Sequence, residues 1–218
     1  NKAKRLFILG CMNSKPALSM LKLLNPTINL QIADVIRLPL LNYEKVYGSE
    51  SFNARIRKMI LLSKADWDDF ETSWDFKVHP LVRHKAARIK DAFATWAKVA
   101  KERFNQLKAN EEELNRIFID IYGLQDELTP EVAEEDVTVR KADLERDIRS
   151  LLSYAVGCMF GRYSLDQEGL IYASGDFDRT AYKTFLPVED NVILMTDQDF
   201  FDHDIVFRFV EFVDKVYG

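Results

Sequence analysis

The chain has 218 residues, 47% of them apolar, enough for one large domain or two small ones with a sizeable core, which excludes general disorder. A net charge of −5 excludes a uniformly basic protein that coats nucleic acid. The two cysteines, Cys11 and Cys158, have no CxxC spacing, so neither a zinc site nor a redox pair is supported.

Each cysteine lies in an apolar run and reads as a small buried hydrophobe in reducing cytoplasm. The longest nearly uncharged apolar run, 151–161, is too short to span a bilayer, so a soluble cytoplasmic protein with no membrane partner is expected. The chain opens on Asn1 rather than Met, as expected of a segment excised from a longer polypeptide.

In chain order, residues 4–13 begin apolar and end in Asn-Ser. Ser14 is placed to cap a helix running to about Leu24, with Pro16 in its first turn. Asn25-Pro26-Thr27 stops it, and Ile28, Leu30 and Ile32 alternate with polar residues, the pattern of a short strand. Leu38-Pro39-Leu40 closes that segment as a turn or edge. Residues 49–62 carry Phe52, Ile56, Met59, Ile60 and Leu62 near helical spacing, and Ser63–Asp66 looks like a capping box opening another short helix.

Four aromatics, Trp67, Phe70, Trp74 and Phe76, crowd the next ten residues and are expected to anchor a core. A long helix is predicted over 82–122, with an apolar stripe through Ala86, Ile89, Phe93, Trp96, Val99, Ala100, Phe104 and Leu107 and a break near Ala109-Asn110. An acidic loop over 124–140 holds a strand candidate at Val137–Val139. A helix over 141–160 follows, with Gly157 and Gly161 spaced for close packing. Residues 162–191 are irregular and Val192–Met195 reads as a strand. A last helix over 200–217 turns Ile205, Val206, Phe209, Val210, Phe212, Val213 and Val216 inward, with Gly218 as its cap. The fold class is mainly α with a few short strands: long hairpin or spacer helices joining two smaller α+β parts.

Charge is distributed in blocks. Residues 1–40 carry net +5, 41–76 net −2, 77–108 net +7, 109–136 net −9 and 137–218 net −6. Two basic stretches in an acidic chain are able to form a focused positive surface against phosphates. Pairing between solvated helix faces would produce the same pattern.

Chemistry is sparse. His79 and His84 are five apart, no HExxH or GxSxG occurs, and His203 stands alone. Asp197, Asp199, Asp202 and Asp204 lack the central Gly and terminal Glu of a calcium loop and read as acids at a helix N-terminus. Glycine-rich nucleotide motifs are missing, and Asn25-Pro26-Thr27-Ile28 lacks the second proline and the aromatic needed to hold a flipped base.

Several strings together nevertheless resemble one family. These are ILGCMNSK…LNPTINLQIADVIRLPL over 8–40, SKADWDDFETSWDFKVHPL over 63–81, NEEELNRIFIDIYGLQDELTPE over 110–131, SLLSYAVGCMFGRYSLDQEGLIYA over 150–173, and the terminal helix of 197–218. Their order is similar to that in the PglX family of BREX phage-defence adenine-specific DNA methyltransferases, with relatives among fused type II restriction–modification enzymes. The resemblance implies a division into 1–48 as the end of a target-recognition region, 49–136 as a long-helix region, and 137–218 as the start of a C-terminal α+β region.

It further implies that S-adenosylmethionine and the catalytic Asn-Pro-Pro-Tyr belong to a methylase core elsewhere in a parent enzyme. Catalytic residues, cofactor and metal are therefore expected to be absent from these 218 positions, and the isolated chain is expected to be inactive. On this reading the chain is a non-catalytic DNA-recognition or spacer segment. Double-stranded DNA is the partner, contacted through Arg83, Lys85, Arg88, Lys90, Lys98, Lys101 and Arg103, with Lys2, Lys4, Arg5 and Lys15 adding to the surface. The alternative is a structural module that links the methylase core to a C-terminal domain, or to other proteins of the defence system through acidic 109–136, without touching DNA. Trp67, Trp74, Phe76 and Trp96 read as core anchors rather than base-stacking platforms, because acids surround the first three.

Overall fold

A computed structural model describes residues 2–27, 29–40, 46, 49–196 and 204–218. The fold is mainly α. Among the described residues there are eight α-helices: α1 (Lys2–Met12), α2 (Lys15–Leu24), α3 (Ile32–Ile36), α4 (Glu50–Asp68), α5 (Pro80–Arg83), α6 (Ile89–Tyr122), α7 (Leu144–Met159) and α8 (Ile205–Tyr217). Contacts divide the chain into two compact units. The first comprises 1–64 and 102–140, the second 65–101 and 141–218.

In the first unit, α1, α2, α4 and the C-terminal part of α6 bury Phe7, Cys11, Ala17, Leu21, Phe52, Ile56, Leu114 and Phe118 together. Ser14 ends α1 rather than capping α2: its hydroxyl donates to the Cys11 carbonyl at 2.7 Å and makes no bond to the α2 amides. The strand expected over 28–32 is absent where the structure describes it. Residues 29–31 are extended coil leading into α3, and Ile28 lies outside the described residues. Gln31 and Asp34 form a reciprocal capping box there, a local signal that overrides the short alternation.

Ser63–Asp66 starts no helix, because α4 runs straight through it. Nor does α6 break at Asn110. The buried Asn110 amide donates to the Gln106 carbonyl at 2.7 Å and its oxygen accepts from Arg55 Nη1 at 3.3 Å, so a residue suited to a cap is satisfied inside a helix. Leu107, Leu114 and Phe118 carry the buried stripe past it. Val137 and Val139 are buried against Phe104 and Leu107 as extended coil. Their alternation is real, but they pack on a helix and no strand pairs with them among the described residues.

The second unit packs Phe76, Leu81, Trp96, Ala100, Leu151, Tyr154, Cys158, Met159, Tyr163, Phe185, Phe212 and Val216 into one core. Helix α7 ends in a Schellman arrangement: Arg162 N donates to Gly157 O at 2.8 Å and Gly161 N to Cys158 O at 3.1 Å, with Gly161 at φ +73°. Of the last helix's expected inward set, Phe212 and Val216 are buried, while Val206 and Val210 are each more than half exposed on its outer side. Seven apolar positions span a wider arc than one core face covers. The 192–195 segment forms only an isolated bridge, Leu194 to Asp204.

Two features of this unit make clear predictions. A Cβ on Gly157 would lie 2.6 Å from Tyr163 Cδ2, and that ring stacks on buried Tyr154 with centroids 5.0 Å apart. Gly to Ala within a helix ordinarily stabilises by about 1 kcal/mol. Here the clash reverses the sign, and Gly157→Ala is expected to lose about 1–3 kcal/mol in a urea melt; a gain would contradict the packing.

Trp74 overturns the core reading. It is 97% exposed, at the tip of a turn held by Ser73, whose hydroxyl donates to Asp68 Oδ1 at 2.7 Å and accepts from Asp75 N at 3.1 Å. Trp67 is likewise 54% exposed, whereas Phe76 and Trp96 are buried. An irregular turn cannot direct every aromatic inward, and Phe76 takes the core position. Trp74→Ala should therefore change stability by less than about 0.5 kcal/mol, not the 3–5 kcal/mol of a core tryptophan, as checked by thermal melting.

Candidate nucleic-acid interface

The eleven candidate cations divide between the units, and their surroundings separate them further. In the second unit, Arg83 closes α5 and donates through Nη1 to Asp69 Oδ1 at 2.5 Å and through Nη2 to the Val78 carbonyl at 3.2 Å. The Asp69 side chain is only 2% exposed, and a buried carboxylate requires such a partner, so Arg83 serves the fold first. Arg88 pairs with Asp91 at 3.0 Å across the start of α6, an exposed contact of small energetic weight.

Lys85, Lys90, Lys98 and Lys101 are exposed and make no ion pair among the described residues. On a helix turning 100° per residue, Lys90, Lys98 and Lys101 fall within an arc of roughly 80°, and Lys90 and Lys101 stand about 16 Å apart along the axis. Such a face presents its charges to one flank of a polyanion. Arg103 belongs to the first unit and is half-buried.

In the first unit, Lys2, Lys4 and Arg5 are exposed on the opening turns of α1, which has no acid in its first turn. Three cations at the positive end of a helix dipole raise the local potential. Lys15 points elsewhere: its ammonium donates to the carbonyl of Thr129 at 3.2 Å and to that of Glu131, which ties α2 to the acidic loop.

The titratable groups inside the second unit are structural. His79 Nδ1 accepts from Leu81 N at 3.2 Å, capping α5, and burial holds its pKa down to about 3. His84 lies parallel to the Trp96 ring with centroids 6.3 Å apart. Burial pushes Cys158 up to about 12, which leaves its thiol protonated and unreactive at neutral pH. Burial likewise raises the Glu71 carboxyl, which accepts from Tyr163 at 3.4 Å. Asp204 caps α8, accepting from Phe207 N at 2.8 Å. His203, Asp197, Asp199 and Asp202 lie outside the described residues.

Two placements had no signal in the sequence. Lys215 shares with Lys85 a small pocket of about 320 Å³ that also holds Asp166 and Glu168, although the two lysines are far apart in the chain. Glu111 lies on the wall of a larger cleft in the first unit.

The residues do not fit S-adenosylmethionine as the methylases hold it, on a glycine-rich turn between a strand and a helix. Gly10 and Gly157 sit inside helices, and no described glycine occupies a strand-to-helix turn.

No protein-family model matches the chain. Two curated proteins do. The chain is 48% identical over 220 aligned positions to the adenine-specific methyltransferase PglX of Lacticaseibacillus casei (strain Zhang), covering 98% of this chain and 18% of that protein. It is 33% identical over 235 positions to the adenine-specific methyltransferase BrxX of Escherichia coli O9:H4 (strain HS), covering 97% of this chain and 19% of the relative. The chain thus spans about a fifth of the length of the relatives it matches.

Proposed function

The chain belongs, over nearly all its length, with the PglX family of adenine-specific methyltransferases, and on that premise we propose that it supplies phosphate contacts, not methyl-transfer chemistry, to such an enzyme acting on DNA. S-adenosylmethionine and the extrahelical adenine then occupy a methylase core outside these residues, where the exocyclic amine is methylated. The observation that carries this reading is the set Lys85, Lys90, Lys98 and Lys101: four exposed lysines without ion pairs among the described residues, in a chain whose net charge is −5. Elsewhere in the second unit, Arg83 and Arg146 are drawn to buried carboxylates. These four are left for an outside anion.

Phosphate contacts position a protein without reading sequence. Replacing Lys90, Lys98 and Lys101 together by Gln in a full-length enzyme of this family should weaken duplex binding equally for cognate and unrelated sequences. It should also flatten the plot of log affinity against log salt by about 2.7, at roughly 0.9 per contact. An unchanged slope in a salt-series titration would overturn the assignment.

A connector role is the second reading, and Trp74 favours it: an exposed tryptophan next in sequence to Asp75, whose negative charge disfavours phosphate, suits a protein surface. The acidic stretch lends it less. Glu112 accepts from Val132 N at 3.2 Å and Glu113 pairs with Arg116, so both serve the first unit itself. On the connector reading the chain shows no DNA binding even at low salt, and charge reversal at Glu111, Glu112 and Glu113 disturbs domain arrangement.

A further inference from the structure

The small pocket of about 320 Å³ in the second unit is built from distant parts of the chain. Val78, Val82, Leu165 and Val216 give it an apolar floor, packed against that unit's main core. Two backbone ties hold its walls together. Tyr217 Oη donates to the Leu81 carbonyl at 3.2 Å, which fastens the end of α8 to α5. Gly169 N donates to the Lys77 carbonyl at 2.8 Å, which fastens the 164–168 segment to the chain before α5.

Most of its polar groups are already engaged. Ser164 Oγ donates to the Ala181 carbonyl at 2.7 Å, and Thr184 Oγ1 donates to Asp166 at 2.5 Å. Asp166 also accepts from the amides of Lys183 and Thr184 at 2.7 and 2.9 Å, and Glu168 pairs with Lys77 at 3.1 Å. Two ammonium groups remain, with the exposed Gln167 near them. Lys85, just past α5, and Lys215, in the last turn of α8, are exposed and have no ion pair or side-chain hydrogen bond among the described residues. Lys77 and Lys183 add their charge beside the two acids, so four cations offset two carboxylates and the local potential is positive.

We propose that this pocket seats one backbone phosphate of duplex DNA, with Lys85 and Lys215 donating to its two nonbridging oxygens. Lys85 already belongs to the phosphate-contacting set on which this assignment rests, and Lys215, 130 residues further along the chain, joins it. A phosphodiester spreads one negative charge over two nonbridging oxygens, one for each ammonium, and an ammonium is a point donor that meets either without a fixed fork geometry. The apolar floor and the spent hydroxyls have little to offer a base edge, so the contact positions the duplex without reading its sequence. A free phosphate ion presents the same oxygens but lacks the neighbouring contacts that hold a backbone phosphate in place.

Duplex binding by the 218-residue chain, followed by fluorescence anisotropy across a salt series, tests this with Lys85→Gln, Lys215→Gln and the double variant. Both lysines neutralise the same phosphate, so each single variant should weaken binding a few-fold yet keep the slope of log affinity against log salt within about 0.3 of wild type, and the double variant should flatten it by about 0.9. Lys215→Arg in the Lys85→Gln background keeps a cation on the phosphate and should keep the slope. Inorganic phosphate, replacing chloride at constant ionic strength up to about 10 mM, should release wild type and the double variant from DNA to the same extent.

The assignment is overturned if Lys215→Gln binds as wild type does and the double variant matches Lys85→Gln. It is also overturned if each single variant flattens the slope by about 0.9 and the double by about 1.8, as two separate phosphates would. Selective release of wild type by inorganic phosphate would make the pocket a free-anion site and overturn it as well. The triple Gln variant of Lys90, Lys98 and Lys101, measured alongside, separates the two levels. If it flattens the slope and the pocket double variant does not, the pocket assignment alone fails. If only the pocket double variant flattens it, the α6 lysine face fails and the pocket stands. A wild-type chain without DNA affinity at low salt overturns both.

Discussion

Trp96→Ala is expected to remove about 3–5 kcal/mol from the second unit, enough to leave little of a domain's margin. Trp96 is 2% exposed in that unit's main core, where it joins Leu81, Leu151 and Tyr154. Truncation deletes the largest of the fully buried side chains, and helix α6 cannot collapse into the space while Ala92 and Ala100 already pack without exposure beside it. A second loss follows. Trp96 Nε1 donates to Asp147 Oδ2 at 2.8 Å, and Asp147 is itself 2% exposed.

That carboxylate also accepts from Asp143 N at 3.1 Å and from the Arg146 guanidinium at 2.8 Å, so Trp96 supplies one of the bonds that make a buried charge tolerable at the head of α7. Trp96→Phe keeps most of the volume and separates the two contributions, with about 1–3 kcal/mol expected from the lost donor alone. Urea denaturation of both variants checks the order. A phenylalanine variant as unstable as the alanine one would mean that the indole bond, not the packing, dominates.

Acidification should weaken the fold through His79 by about 2 kcal/mol at about pH 5, relative to neutral pH. The imidazole is 2% exposed, packed 6.0 Å from the Tyr154 ring, and held neutral chiefly by burial, with the nearby Arg83 charge acting in the same direction. Its folded pKa of about 3 lies below the ordinary value of 6.5. The unfolded chain therefore binds the proton first. The stability contribution is complete above about pH 6.5 and is lost progressively as pH falls toward about 3.

Glu71 and Glu111 act with the opposite sign, since raised carboxyl pKa values favour the folded state at lower pH. A comparison with His79→Asn cancels them, and Asn keeps an acceptor for the α5 cap. The advantage of the wild-type chain over His79→Asn should shrink by about 2 kcal/mol between about pH 7.5 and pH 5. A gap that stays constant would show that His79 takes up its proton at the same pH in the folded chain as in the unfolded one.

Much of the fold was legible because helical periodicity is written locally. The stripe from Ile89 through Trp96, Ala100, Phe104 and Leu107 predicts α6, and those residues are buried or partly buried along it. The same holds for α2 and α7, whose bounds fall within about three residues of those expected, and for the C-terminal end of α8, a helix expected from residue 200 and described from Ile205. Local signals failed where a longer-range contact outweighed them. Ser63–Asp66 and Asn110 both look like helix starts, yet the apolar stripe continues through each, and the Asn110 side chain finds partners on its own helix and on α4. Trp74 failed in the other direction. Hydrophobicity argues for burial, but a turn pinned by Ser73 decides where residue 74 points.

What the sequence by itself determined was the mainly helical class, the membership implied by ordered blocks, and the concentration of positive charge over 77–108. Each is a property of neighbours in the chain or of the chain as a string. Only the tertiary structure decided which of those charges have partners of their own. Arg83 is drawn to Asp69 fourteen residues earlier and Lys15 to carbonyls more than a hundred residues later, while Lys85, Lys90, Lys98 and Lys101 are left exposed. For Arg83 the reason is desolvation: a buried carboxylate claims the nearest cation in space, and nearness in space is set by packing rather than by sequence distance.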